Sequence, residues 1–170
     1  HDHGYEIPGQ KRTMRAAYYA SISFIDWNLS RILTELGDEI DQTLVLFTSD
    51  HGELLGDYGS FGKRCMLEPS VRVPLLVRQP GHFPAGEVCS TPCSLLDLLP
   101  TFIAAAVETD ADKMGEGRDL AQIVRNAEGQ RYVYSQFSES RFGLYLITDG
   151  RWKYSYSAAD DREWLYDLDT

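Results

Sequence analysis

Apolar residues recur at every third or fourth position between Arg12 and Leu36, at Met14, Ala17, Tyr18, Ile22, Ile25, Leu29, Ile32, Leu33 and Leu36. That spacing, held for roughly six turns or more, predicts one long amphipathic helix with Gly37 as its stop. After the polar stretch Asp38 to Gln42, the run Thr43 to Thr48 is continuously apolar and rich in β-formers. Continuity without alternation predicts a strand covered on both faces, and a helix followed by such a strand is half of an α/β crossover unit. A glycine-punctuated loop runs from Gly52 to Gly62, and Val71 to Arg78 is a second strand, with Pro74 pointing to an edge position or an irregular start. Gln79 to Gly86 reads as turns. Ser94 to Val107 reads as a second helix, with Ser94 and Asp97 spaced for a capping box and Pro100 placed to kink it.

The texture then changes. Residues 108–119 are polar and mark the internal boundary, so residues 1–110 read as one α/β body and residues 111–170 as a second subdomain. A short helix over Leu120 to Arg125 leads to a strand over Tyr132 to Phe137. Gly143 to Thr148, then Asp149-Gly150, then Arg151 to Tyr156 reads as a hairpin, because Asp-Gly suits the tight turn. Glu163 to Leu168 adds a last strand. The predicted class is α/β, with a small antiparallel β-sheet at the C-terminal end.

The totals narrow the choices. A chain of 170 residues, 43% hydrophobic and 12% aromatic, has the length of an ordinary domain and can bury a core. The longest apolar stretch, Leu95 to Val107, is interrupted by Asp97, Pro100 and Thr101, short of the roughly 20 residues of a spanning helix. A formal charge of −10 argues against nucleic acid and anionic membranes as general partners. It leaves room for an anionic substrate, since one lysine or metal ion reverses the sign inside a cleft. Cys65, Cys89 and Cys93 form no disulfide framework, and half-buried thiols are favoured over a metal knuckle at Cys89 and Cys93. The start, His1-Asp2-His3-Gly4, has no Met and no signal pattern, and predicts a chain cut from something longer.

The residues with most to say about chemistry are Thr48-Ser49-Asp50-His51-Gly52-Glu53, directly after the buried strand, where ligands bind in open α/β sheets. Asp50 offers a carboxylate and His51 an imidazole, and a turn can aim both at one ion. The competing reading makes Asp50 a loop cap and His51 a local hydrogen-bonding group. Gly52 permits the tight backbone such a turn needs. Lys63 closes the glycine loop about a dozen residues on. Its ammonium is a compact charge suited to an oxyanion, although a solvated surface lysine is the competing reading. Glu68 and Arg72, four apart, read as a structural pair or as solvated charges. Asp26 and Trp27 read as packing residues on the long helix, His82 as a surface residue in its turn, and His1 and His3 as terminal residues without a role.

Taken in order, these segments resemble the sulfatases of the alkaline-phosphatase superfamily. Ala17 to Asp26 resembles the family's helix before the metal strand, and Leu44 to Glu53 its second metal motif. Phe61-Gly62-Lys63 with Glu68, Arg72, Val73 and Pro74 resembles its oxyanion-binding lysine and the strand behind it. Ser94 to Thr101 and Leu165-Tyr166-Asp167-Leu168 resemble its next helix and its C-terminal strand. The resemblance implies that Asp50 and His51 are metal ligands for a divalent ion, most often calcium, and that Lys63 is the catalytic and substrate-binding lysine on the sulfate. A histidine at position 51 is also similar to phosphonate monoester and phosphodiester hydrolases, which tend to hold manganese or zinc.

The family's nucleophile, a formylglycine made in Cys/Ser-x-Pro-x-Arg, has no counterpart in these residues. Cys93 precedes Ser94-Leu95-Leu96, and Cys89 precedes Ser90-Thr91-Pro92, with no arginine in place. The expectation is a sulfatase-type hydrolase acting on a small-molecule or glycan sulfate ester, with the formylglycine in a missing N-terminal part. These residues alone are then expected to be inactive. Phosphonate monoester or phosphodiester hydrolysis is the alternative, and a non-catalytic metal-binding or interaction fragment the second alternative. Later strands without their neighbours also leave edges and an apolar face open, which predicts self-association or a partner chain in their place.

Overall fold

The structure, a computed structural model, describes residues 9–107, 115–126 and 129–169. They fall into two compact units, one ending at Gln79 and one beginning at Pro80. The polar boundary expected over 108–119 lies mostly outside the described residues, as do His1 and His3.

In the first unit, helix α1 spans Gln10–Leu36 and stops at Gly37, whose φ of 50° is the left-handed geometry that glycine adopts at low cost. A 3-10 turn, Gly37–Asp41, leads into strand β1, Val45–Thr48. β1 pairs antiparallel with β2, Leu75–Arg78, in a register that sets Val45 opposite Arg78 and Thr48 opposite Leu75. Arg78 then reaches back to Asp41 and, at 2.7 Å, to the Ile40 carbonyl, tying the end of β2 to the turn before β1. A single helical turn, α2, Glu68–Val71, precedes β2, and Pro74 stands just ahead of the strand.

Two expectations change here. The apolar run before Asp50 predicts a strand covered on both faces, yet every residue of β1 is only half-buried and its partner is antiparallel. No residue of α1 is buried. Met14 and Ile22 are 45% and 48% exposed, so the apolar stripe of the amphipathic helix lies open. Trp27 packs within its own helix, 6.0 Å from the Phe24 ring and beneath the Arg31 guanidinium.

The second unit begins with turns and a capping box. Ser94 Oγ accepts from Leu96 N, while the Asp97 carboxylate accepts from Ser94 N at 2.6 Å. The 3-10 turn Leu95–Asp97 passes into α3, Leu98–Val107. Pro100 lies in the first turn of α3, where a missing N–H costs little. Helix α4, Leu120–Arg125, is capped by the Asp119 side chain on Ala121 N.

Four antiparallel strands follow in the order β3-β4-β5-β6: Val133–Phe137, Leu144–Thr148, Trp152–Ser157 and Arg162–Asp167. Asp149 and Gly150 make the β4–β5 turn. Gly150 takes φ 97°, and Asp149 Oδ1 accepts from the Arg151 and Trp152 amides. Lys153, Ser155 and Ser157 alternate along β5 on its buried face, with Leu146 of β4 directly opposite Ser155. A dense polar knot lies elsewhere among the described residues of the unit. Asp97 is fully buried and meets the Arg131 guanidinium through both oxygens, at 2.6 and 2.8 Å, while Arg118 N donates to it at 2.9 Å. Thr101 Oγ1 accepts from Leu120 N, joining α3 to the start of α4. Among the described residues, no helix is long and apolar enough to cross a membrane.

Candidate functional site

Asp50 and His51 follow the last residue of β1 by two and three positions, on a turn held by short-range bonds. Ser49 Oγ donates to the His51 carbonyl at 2.8 Å, and His51 N donates to Asp50 Oδ1 at 3.0 Å. The Asp50 side chain thus serves as a local cap, as one reading of the sequence has it. Its other oxygen remains outward: Asp50 Oδ2 lies 3.3 Å from His51 Nε2, with the aspartate side chain 80% exposed.

His51 Nδ1 lies 2.8 Å from the Gly52 carbonyl. A carbonyl only accepts, so Nδ1 carries a proton, and Nε2 is the ring nitrogen that faces Asp50 Oδ2. A metal-ligating histidine is oriented in this way by a bond on its other nitrogen. Two ligands of one divalent ion at ordinary bond lengths stand about 3 to 3.5 Å apart. Oδ2 and Nε2 meet that separation, so the pair fits one cation. Among the described residues no group of three or more His, Cys, Asp or Glu side chains is arranged for a metal, so this pair would be part of a larger ligand set.

The sequence assigns Gly52 to a tight turn, but the structure shows a different reason for it. Its N–H donates to the Ser70 carbonyl at 2.7 Å, and a Cβ at Gly52 would overlap the Pro69 carbonyl oxygen and lie 2.9 Å from the carbonyl carbon. A strand-to-turn segment and the start of α2 touch backbone to backbone here, and a side chain would hold them apart.

Lys63 comes back to this place across 12 positions of sequence, and its ammonium meets His51 Nε2. The Lys63 carbonyl is held by Ser70 Oγ and by Cys65 N at 2.8 Å. One small patch therefore gathers a carboxylate oxygen, an imidazole nitrogen and an ammonium. The other candidates lie apart from it. Glu68 and Arg72 form a loose pair at 4.0 Å, with Arg72 82% exposed, in keeping with a surface role. His82 is exposed in its turn. Cys65, Cys89 and Cys93 are half-buried free thiols. Burial, followed by the nearby Asp97 carboxylate, pushes Cys93 up to about 11, so it is a protonated thiol at neutral pH.

Glu53, Lys11, Arg15 and Ser70 also hold this region, although the sequence gives none of them a chemical role. Glu53 Oε1 accepts from Gly62 N, Lys11 Nζ donates to the Gly56 carbonyl at 2.6 Å, and Arg15 Nη2 meets Asp57 at 2.6 Å. The one sequence signal for the two basic residues is their place together in the first turns of α1.

Two family models match the chain: Sulfatase over residues 2–108, and N-sulphoglucosamine sulphohydrolase, C-terminal, over residues 56–170. The chain is 35% identical over 164 residues to a choline-sulfatase of Rhizobium meliloti (strain 1021), covering 93% of this chain and 31% of that protein. It is 37% identical over 131 residues to a steryl-sulfatase of Mus musculus, covering 67% of this chain and 21% of that protein. A phosphonate monoester hydrolase from Silicibacter pomeroyi superposes with a TM-score of 0.77 at 27% identity, covering 94% of this chain and 35% of that one. BT4656, in complex with its substrate D-glucosamine-2-N,6-O-disulfate, superposes with a TM-score of 0.72 at 30% identity, covering 89% and 33%. The chain thus spans about a third of the length of the bacterial relatives it matches.

Proposed function

The chain belongs to the sulfatase family, and from that membership we propose that these residues serve a hydrolase of sulfate esters, contributing Asp50 and His51 as metal ligands and Lys63 as the oxyanion-binding group. The observation that carries this reading is the meeting of Lys63 with the Asp50–His51 pair, 3.3 Å between their facing atoms, although the chain leaves for 12 positions between them. A surface lysine and a loop cap have no reason to converge on one point. A group that must bind a tetrahedral anion beside a cation does.

Sulfatases as a family use a metal ion and formylglycine. A divalent ion at Oδ2 and Nε2 would polarise a sulfate oxygen and offset the charge that builds in the transition state. This chain's own part is electrostatic and geometric. His51, with Nδ1–H held by the Gly52 carbonyl, keeps Nε2 aimed at the place Asp50 Oδ2 faces. Lys63 donates hydrogen bonds to the sulfate and to its leaving oxygen as negative charge grows there, a contribution of about 3 to 4 kcal/mol when such a donor is preorganised. The 170 residues hold no Cys/Ser-x-Pro-x-Arg motif, so the nucleophile comes from residues outside them, and these residues alone do not turn over substrate. The substrate is a small-molecule or glycan sulfate ester. The relative that binds D-glucosamine-2-N,6-O-disulfate supports the glycan end of that range.

A second reading is favoured by two features. Imidazole suits manganese or zinc better than calcium, and a phosphonate monoester hydrolase superposes well on this chain. Matched aryl sulfate and aryl phosphonate assays of the whole enzyme separate the two. A higher kcat/KM for the sulfate is expected, and a higher value for the phosphonate overturns the sulfatase reading.

A further inference from the structure

The loop between the metal pair and Lys63 is held in one shape by residues with no place in the chemistry. At its base, Leu54 N donates to the Gly62 carbonyl at 2.9 Å, and the return bond from Gly62 N goes to the Glu53 carboxylate. A side chain thus supplies the second acceptor that a paired strand would supply from its backbone. Glu53 Oε1 also faces Leu55 N, at 3.4 Å. Within the loop, Gly56 N donates to Ser60 O and Asp57 N to Leu54 O, each at 2.8 Å. The tip is gripped by the first turns of α1, with Lys11 on the Gly56 carbonyl, Arg15 Nε on the Leu55 carbonyl at 2.8 Å, and Arg15 Nη2 on Asp57.

The backbone shows why such a grip is needed. Leu55 and Tyr58 sit at φ 50° and 55°, in the left-handed region where a side chain costs about 1 to 2 kcal/mol. Backbone of that kind persists only where its surroundings dictate it. Tyr58 itself is 71% exposed and cannot do so. The dictating contacts are those of Arg15, Lys11 and Glu53, and they act on a segment whose next residue is Lys63.

We propose that Glu53 and Arg15 are positioning residues. They lock the loop from Glu53 to Gly62 so that the Lys63 ammonium is held beside the Asp50–His51 pair, where it meets His51 Nε2 in the metal-free chain. This rests on the reading of Lys63 and His51 given above and extends it to two groups that touch neither substrate nor metal. Glu53 acts at the base, by ending Gly62 N–H on a carboxylate. Arg15 acts at the tip, and its fork is matched to a carbonyl and a carboxylate at once, a geometry lysine cannot copy.

The test reads the His51 ring, without activity. Ring 15N shifts of His51 are recorded at one fixed pH, with EDTA, on the full chain and on Lys63→Ala, Glu53→Ala, Glu53→Gln, Arg15→Ala and Arg15→Lys. Loss of the lysine donor should move Nε2 to its Lys63→Ala value in Glu53→Ala, Arg15→Ala and Arg15→Lys. Glu53→Gln, which keeps an oxygen acceptor for Gly62 N–H, should return it to wild type. Arg15→Ala leaves the loop base intact, so the question stays answerable if Glu53→Ala unfolds. Wild-type shifts in Arg15→Ala, or no movement in Lys63→Ala itself, would overturn the proposal. In the whole enzyme, Arg15→Ala should lower kcat by about 100-fold, the scale of a misplacement of about 1 Å, with KM within about twofold. A phosphonate preference would defeat the sulfatase reading and leave the ring shifts as predicted.

Discussion

Gly52→Ala is a small change with a large predicted cost. The added methyl would overlap the Pro69 carbonyl oxygen and lie 2.9 Å from its carbon and 3.3 Å from Ser70 Cα, so the two backbones must part by at least about 1 Å to restore ordinary contact. Parting them breaks the 2.7 Å bond from Gly52 N to the Ser70 carbonyl. Overpacking against a rigid partner costs about 1 to 3 kcal/mol, and the lost hydrogen bond about 0.5 to 1.5 kcal/mol, for a total near 2 to 4 kcal/mol. Gly59→Ala is the contrast. Gly59 has φ 68° but open space around it, so only the conformational penalty of about 1 to 2 kcal/mol applies. Urea unfolding gives both losses, and hydrogen exchange over residues 49–70 reports whether the Gly52–Ser70 bond opens. A smaller loss for Gly52→Ala than for Gly59→Ala would refute the close-approach reasoning.

In the second unit, Asp97→Ala should cost about 3 to 5 kcal/mol, because it strands a guanidinium that is 10% exposed. Ser94→Ala, which removes the hydroxyl cap that accepts from Leu96 N at 3.3 Å, should cost about 1 kcal/mol, and equal losses on urea unfolding would contradict the assignment of Asp97 as the centre of that network. Cys93 gives a pH signature. Its thiol is raised by burial from 9.0 to about 11, so the unfolded chain releases its proton first and stability falls as pH climbs across that window. Cys93→Ala should flatten that fall, and an unchanged slope in unfolding measurements between those pH values would count against the buried thiol.

Much of the local structure is legible in the residues themselves. Gly37 stops α1, Ser94 and Asp97 form the capping box they are spaced to form, and Asp149-Gly150 turns the β4–β5 hairpin. Each is decided by neighbours within a few positions. What stays hidden is non-local. The apolar run of β1 does not reveal that its partner, β2, is antiparallel and some 30 residues on. Nothing around Asp97 announces Arg131, 34 positions away. At the site, Asp50, His51 and Lys63 are legible as residue types suited to a cation and an oxyanion. Gly52 suggests a turn, whereas its cause is a backbone 17 positions ahead. Glu53, Lys11 and Arg15 are ordinary surface charges by composition, and only the folded loop shows what they hold.

The central claim is that Lys63 stands beside Asp50 and His51 in order to bind the reacting sulfate. Comparing Lys63→Ala with wild type in the whole enzyme, on an aryl sulfate and by thermal unfolding, tests it most directly. The predicted result is a fall in turnover of about two orders of magnitude or more with the melting temperature nearly unchanged. Undiminished turnover, or a loss of activity matched by an equal loss of folding, would contradict it.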